Sequence, residues 1–355
     1  MSAIERSKDF PLTEARNLVK DLSGPDPLIY WVDYLLSITI GWSAFVLAVR
    51  VPDLSLWQVT FYVIASLALY RAVIFTHELA HLKKGTFKFF RLIWNLTCGF
   101  LMMVPSFTYH GVHNDHHKRN VYGTRRDGEY LPFGVQEPYW ILAYLCLTFV
   151  LPLLFAVRFI VLTPLSYINR GLRRLVWQRL SSLTIDFSYR RPPPGNADDP
   201  TWPWQEFITF IYGITVIGLV VSGVLPLKVL ILWYMVSLLI FFLNALRTLA
   251  AHAYRNPGYQ VLTVPEQFLD SVNVPGNLLL TALWAPVGLR YHATHHLFPN
   301  LPYHVLGKAH RLLVAELPDN TLYLKTERKS LSSALRMLWQ EARLSKLQNV
   351  EVEAG

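Results

Sequence analysis

Long uncharged apolar stretches alternate with short polar ones along this chain. A run of about 20 such residues suffices to cross a bilayer as a helix, and four runs fit: Tyr34–Val49, Leu54–Tyr70, Phe207–Leu227 and Val229–Leu246. The links Arg50–Asp53 and Pro226–Lys228 are short enough to pair them into two helical hairpins. Two further runs, Leu92–Tyr109 and Tyr139–Val157, are also long enough but contain Pro105 and Pro152, which bend or break a helix. After Leu317 the chain turns polar. The segment Leu331–Leu347 keeps Leu331, Leu335, Leu338, Ala342 and Leu347 at roughly helical spacing, the pattern of an amphipathic helix.

Composition makes the solvent lipid. Of 355 residues 52% are hydrophobic and 16% charged, against roughly 25% charged in an average soluble domain. Mean hydropathy is +0.28. The net charge of +9 is a topology signal, because basic residues collect on cytoplasmic loops, and no nucleic-acid partner is expected. The hairpin tips hold only Arg50 and Lys228. The opposite side holds Lys83, Lys84, Lys88, Arg91, Lys118, Arg119, Arg125 and Arg126, then the loop 158–191 with seven arginines and one acid, Asp186. The expected architecture is therefore an all-α integral membrane protein with four transmembrane helices. Re-entrant or interfacial helices come from 92–109 and 139–157, and a histidine-rich cap lies in the cytoplasm; six spans is the alternative. Residues 1–27 form a cytoplasmic segment, 28–316 the membrane-embedded domain and 317–355 a cytoplasmic tail, with Arg191–Pro203 a Pro-rich connector. The N-terminus shows no apolar core of a cleavable signal peptide, and Cys98 and Cys146 offer neither a disulfide framework nor a thiolate metal site.

The twelve histidines are clustered. His77 and His81 stand in H-E-L-A-H; His113, His116 and His117 in H-N-D-H-H; His292, His295 and His296 in H-A-T-H-H. At 100° per residue, His116 and His117 fall about 60° and 40° either side of His113, so each H-x-x-H-H box shares one helical arc. His77 and His81, at i and i+4, point the same way. His77 lies seven residues past Tyr70 and His252 six past Leu246, so both project about 10 Å beyond the apolar runs at 1.5 Å per residue. Their matching height adds His252 to the set. Nine imidazoles exceed one metal and suit two. Imidazole serves Zn, Cu, Fe and Ni alike, so the residues alone do not choose the metal, although a cysteine-free site near lipid suits a redox-active di-iron centre.

These boxes resemble the membrane fatty acid desaturase/hydroxylase superfamily, with its signature H-x(3–4)-H, H-x(2–3)-H-H and H-x(2–3)-H-H, in its bacterial type. The likeness covers about residues 30–315 and extends to YGTRRDGEYLP (122–132), RTLAAHAYRN (247–256) and RYHATHHLFPNLPYH (290–304). It implies that His77, His81, His113, His116, His117, His252, His292, His295 and His296 hold two iron ions, with O2 as co-substrate. It implies no catalytic side chain beyond these ligands and no organic cofactor. The substrate would be a membrane lipid or acyl thioester, and the reaction insertion of a double bond into an acyl chain. Four spans with cytoplasmic boxes, in a bacterial inner membrane, agree with the charge argument. Thr248 stands where animal acyl-CoA desaturases carry an Asn holding a metal-bound water. His292 replaces the Gln of front-end desaturases, which counts against that subgroup. No H-P-G-G occurs, so electrons are expected from a separate carrier of ferredoxin, rubredoxin or cytochrome b5 type. Candidates to orient the ligands are Glu78, Asp115 and Asp270, with Thr248 beside them. His110, His304 and His310 are left over, as proton or water partners or in surface roles.

The boxes are shared with hydroxylases and ketolases, the nearest rival reading. H-E-L-A-H also satisfies H-E-x-x-H, the zinc site of a metalloprotease with Glu as base, which would leave the other clusters unexplained. A metal-binding or transporter-like membrane protein is the non-enzymatic alternative.

Overall fold

The computed structural model describes residues 10–83, 86–195 and 199–354. Lys84, the first nine residues of the N-terminal segment and residues 196–198 of the connector lie outside the described residues. Among the described residues the architecture is helical, with no strand, only isolated bridges pairing His252 with Ser271 and Asn273 with Tyr291 and Glu327. The helices fall into two compact units. One, here the long-helix unit, comprises Pro27–Asn114 and Cys146–Leu243; the other, the short-helix unit, comprises Met1–Asp26, Asp115–Leu145 and Asn244–Gly355.

In the long-helix unit, α2 (Pro27–Arg50) and α3 (Leu56–His81) form the first hairpin; α1 (Leu12–Val19) precedes them in the other unit. Ser55 caps α3 by accepting from the Gln58 N–H at 3.1 Å, and Gln58 Oε1 accepts from the Leu54 N–H at 2.7 Å, so both ends of the cap satisfy free amides. Gly41 lets the hairpin close: a Cβ there would stand 2.7 Å from the Leu69 side chain and 3.2 Å from its backbone nitrogen. Arg71 donates to Asp33 at 2.6 Å across the pair. Next come α4 (Lys88–Trp94), a π turn over Asn95–Gly99, and α5 (Phe107–His116), so the run 92–109 is not one helix. The hairpin tips meet where Lys228 pairs with Asp53 at 2.6 Å and donates to the Val51 carbonyl at 2.6 Å.

Five described helices, not four, are long and apolar enough to cross a membrane: α2, α3, Leu151–Ile168 (α7), Trp202–Val221 (α9) and Lys228–Leu249 (α10). The addition is α7, which follows α6 (Tyr139–Leu147) and precedes α8 (Arg170–Leu180). It adds a fifth candidate to the four expected spans and makes the start of the expected loop 158–191 helical. Pro152 sits in the first turn, where its missing N–H costs nothing. Arg158, counted above as a solvated loop charge, is buried inside the helix. Its guanidinium pairs with Glu206 of α9 and donates to Thr163 at 2.7 Å, Ser181 at 2.9 Å and the Leu180 carbonyl at 2.7 Å. A charge answered this fully does not interrupt an apolar helix.

The short-helix unit holds α11 (Val264–Asp270), α12 (Leu278–Trp284), α13 (His292–Leu297), α14 (Tyr303–Glu316), α15 (Thr321–Leu324) and α16 (Leu331–Ala354). Helix α1 packs with α14 in a core containing Phe10, Val19, Phe268, Leu306 and Leu313. The expected amphipathic helix is realised in α16: Ala334, Leu338 and Ala342 are buried, whereas Leu347 is exposed.

Candidate metal centre

In the short-helix unit the extended stretch 271–274 is the scaffold. The Val272 N–H donates to the Ala251 carbonyl at 2.8 Å, and the Ala253 N–H donates to the Asp270 carbonyl at 2.6 Å. On the other edge the Ala293 N–H reaches the Val272 carbonyl at 3.3 Å, and Asn273 Oδ1 accepts from the Thr294 N–H at 3.1 Å. The segment after α10 and the six-residue α13 are thereby fastened to one stripe of backbone, which brings His252 to His292 and His296. His116 ends α5.

These four histidines are buried, and each offers a nitrogen within 4.8 Å of the others. His292 Nε2 lies 2.9 Å from His252 Nε2 and 3.1 Å from His296 Nε2. Burial, then the neighbouring His116 and Arg247, push the His252 imidazole well below its usual range; burial and four histidines do the same to His296. For His116 burial also pulls down, but the carboxylate of Asp127 outweighs it and the net direction is upward.

Elsewhere in the same unit His117 and His295 face each other, Nε2 to Nε2 at 3.1 Å, and His117 stacks on His296 with centroids 4.5 Å apart. In the long-helix unit His77, His81 and His113 converge, their ligand nitrogens within 4.8 Å of one another and His81 Nε2 at 2.8 Å from His113 Nε2. The structure thus assembles His116, His252, His292 and His296 in one unit and His77, His81 and His113 in the other, with His117 beside His295.

The donor set fits a metal. A proton can serve only one nitrogen of each close Nε2 pair, whereas a cation accepts several lone pairs at once. Burial holds His252 and His296 neutral, the form a metal requires. The far nitrogen of several rings has a partner, as metal-binding histidines generally do. His116 Nδ1 is 2.8 Å from Asp127 Oδ2, which also accepts from the Gly123 N–H at 2.8 Å, while Oδ1 accepts from the Glu129 N–H at 2.9 Å. His252 Nδ1 meets the Tyr122 hydroxyl at 2.9 Å and Ser271 Oγ at 3.2 Å. His113 Nδ1 meets the Tyr109 hydroxyl at 3.0 Å.

Of the suggested orienters, Glu78 is buried, takes a short hydrogen bond from Tyr30 and stands 3.4 Å from His77 Nδ1. Asp270 is buried and accepts from Tyr122 at 3.1 Å, so it bears on His252 through that phenol. Asp115 pairs with Lys118 at 2.6 Å on a partly open surface. The Thr248 carbonyl accepts from the Tyr254 hydroxyl at 2.8 Å. His304 accepts from the Asp26 N–H at 3.2 Å, and His310 bonds Tyr323 at 2.9 Å; both join parts of the short-helix unit.

Sequence reasoning missed Asp127, Tyr122, Tyr109 and Ser271. Tyr109 had a signal, one turn before His113 on the same helix. Asp127 and Tyr122 both stand in the quoted stretch YGTRRDGEYLP, where their burial was not foreseen.

Two comparisons bear on this arrangement. The sequence model of the family described as "Fatty acid desaturase" matches residues 54–327. A protein named "Ceramide hydroxylase" from Caulobacter vibrioides (strain NA1000 / CB15N) is 39% identical over 338 residues, 95% of this chain and 95% of that one.

Proposed function

The chain belongs to the fatty acid desaturase family and is an oxidoreductase; from that premise we propose that it is a membrane hydroxylase acting on a long-chain lipid of the ceramide class. The observation that carries the reading is the 39% identity to a ceramide hydroxylase across 95% of both chains. It displaces double-bond insertion, which the boxes alone had put first. The reaction consumes R–H, O2, two electrons and two protons and yields R–OH and water, with the electrons drawn from an external carrier.

The reading gives one iron to His116, His252, His292 and His296, and draws ligands for the second from His77, His81 and His113. Iron bound there would supply the activation of O2 that no side chain can perform. The chain's own work is to hold the rings. Asp127 accepts from His116 Nδ1 and so leaves Nε2 its lone pair; Tyr109 contacts His113 Nδ1 and Tyr122 contacts His252 Nδ1. Burial of these groups keeps water away from the reacting C–H bond. The basic segments support a cytoplasmic placement of the boxes in an inner membrane.

The test is expression in a ceramide-producing host, with His116→Ala as the inactive control and lipids analysed by mass under 18O2. A ceramide that gains one labelled oxygen is the expected product. Loss of two hydrogens without oxygen would overturn hydroxylation in favour of desaturation.

A further inference from the structure

A chain of hydrogen bonds with a fixed direction ends on His252. It starts at a backbone amide, which can only donate: the Asn256 N–H reaches the Tyr130 hydroxyl oxygen at 3.0 Å. With that oxygen accepting, the Tyr130 proton goes to Asp270 Oδ2 at 2.7 Å. A second backbone amide, that of Arg255, donates to Asp270 Oδ1 at 3.1 Å. The carboxylate therefore faces donors, and the Tyr122 hydroxyl, 3.1 Å from Oδ2, gives its proton there as well. Its oxygen, 2.9 Å from His252 Nδ1, is left to accept. Ser271 agrees. Its hydroxyl proton is committed to the Gln267 carbonyl at 2.9 Å, so toward Nδ1 at 3.2 Å it too can only accept. Both neighbours of Nδ1 thus call for a proton on that nitrogen, which leaves the lone pair on Nε2, the atom that faces His292 Nε2 at 2.9 Å. Tyr122, Tyr130, Asp270 and Ser271 are all buried, so water does not compete for these bonds.

We propose that Tyr122 is a positioning residue for the metal centre. Its hydroxyl, committed by Asp270, fixes His252 as the Nδ1–H tautomer and aims Nε2 at the iron. This rests on the reading of His252 as an iron ligand, and the experiment separates the two. Tyr122→Phe keeps the ring, which packs 5.0 Å from His116 and 5.3 Å from His296 between centroids, and removes only the hydroxyl. Ser271→Ala removes the longer contact, and the double variant leaves Nδ1–H no side-chain acceptor. Purified, iron-loaded proteins are challenged with a ferrous chelator, and the bound iron is followed by metal analysis and Mössbauer spectroscopy. Loss of such outer partners typically weakens metal binding about 10–100-fold. The expected order is Ser271→Ala close to wild type, Tyr122→Phe about tenfold weaker at one iron, and the double variant weaker still. One of two iron signals should change while the other stays.

If Tyr122→Phe holds both irons as wild type does, while His252→Ala loses one, the tautomer argument fails and the ligand reading survives. If His252→Ala retains both irons, the ligand reading fails first. Equal change of both iron signals in Tyr122→Phe would mean general damage and would also overturn the proposal. A measurement needing no variant is 15N-histidine NMR of the zinc-loaded wild-type protein in detergent. A proton on His252 Nδ1 is expected there, and its absence refutes the assignment.

Discussion

Asp127 offers the sharpest test of how the histidines are held. It is fully buried and takes three hydrogen bonds, from His116 Nδ1 at 2.8 Å, the Gly123 N–H at 2.8 Å and the Glu129 N–H at 2.9 Å. Replacing it with Ala strands three donors, two buried and that of Glu129 half-buried, at about 1–3 kcal/mol each. Water entering the vacated space recovers part of this, so the expected loss is about 3–5 kcal/mol, at the upper end for one substitution. Asp127→Asn is milder. Its carbonyl can take the place of Oδ2, where two donors converge, leaving only the Glu129 amide facing an NH2, at about 1–3 kcal/mol. For the metal, losing the acceptor on Nδ1 frees His116 to place its proton on Nε2, and binding should weaken about 10–100-fold for Ala. The two effects separate experimentally: melting of metal-free protein in detergent reads the fold, and chelator competition on iron-loaded protein reads the site. Both losses are expected, in the order Ala worse than Asn. An Ala variant that melts and retains iron like wild type would refute the reasoning.

Three further outcomes follow from other parts of the chain. Burial, then Arg311 and Arg290, push His310 down to about 4 from its ordinary 6.5. The unfolded chain therefore binds the extra proton between pH 6.5 and 4, and stability should fall as pH drops through that window and level off below it. The ceiling is about 3 kcal/mol, reduced by the Glu327 carboxylate 3.3 Å from Nε2, and His310→Gln should flatten this part of a melting-versus-pH curve relative to wild type. Glu206→Gln leaves Arg158 and Arg173 facing a neutral amide. It should cost about 3–5 kcal/mol in detergent melts, much of it recovered when Arg158→Met is added; equal melting of the single and double variants would contradict this. Gly134→Ala would put a Cβ 2.3 Å from the Ala253 carbonyl and 3.0 Å from that of Tyr254. The turn there must move, at about 1–3 kcal/mol, with weaker iron retention beside it, and wild-type melting would disprove the close approach.

What the sequence disclosed and what it withheld divide along the range of the interactions. The boxes were legible because H-x-x-H-H and H-E-L-A-H place their rings through helical period alone, a relation among residues within one turn. The apolar runs were legible for the same reason, as far as their composition was uniform. Helix α7 escaped because hydropathy counts every arginine as solvated, and the partner that makes Arg158 tolerable, Glu206, stands 48 residues away. The orienting residues escaped likewise. Asp115 adjoins His116 in sequence, yet consecutive residues on a helix diverge by about 100°, and it reaches Lys118. The acid that serves His116 arrives eleven residues later, after the chain has turned back at Gly123, whose φ of +66° few other residues adopt. Asp270 stands farther still from the ring it bears on: the phenol that joins it to His252, Tyr122, lies 148 residues earlier. The same division explains the reaction. On the proposed reading the nine histidines would serve a desaturase and a hydroxylase alike, so they leave the outcome open. The outcome lies in how a substrate C–H bond is set against the metal, which depends on residues scattered over the whole chain. That is why identity spread across 95% of two chains weighs more on hydroxylation than three perfect boxes do.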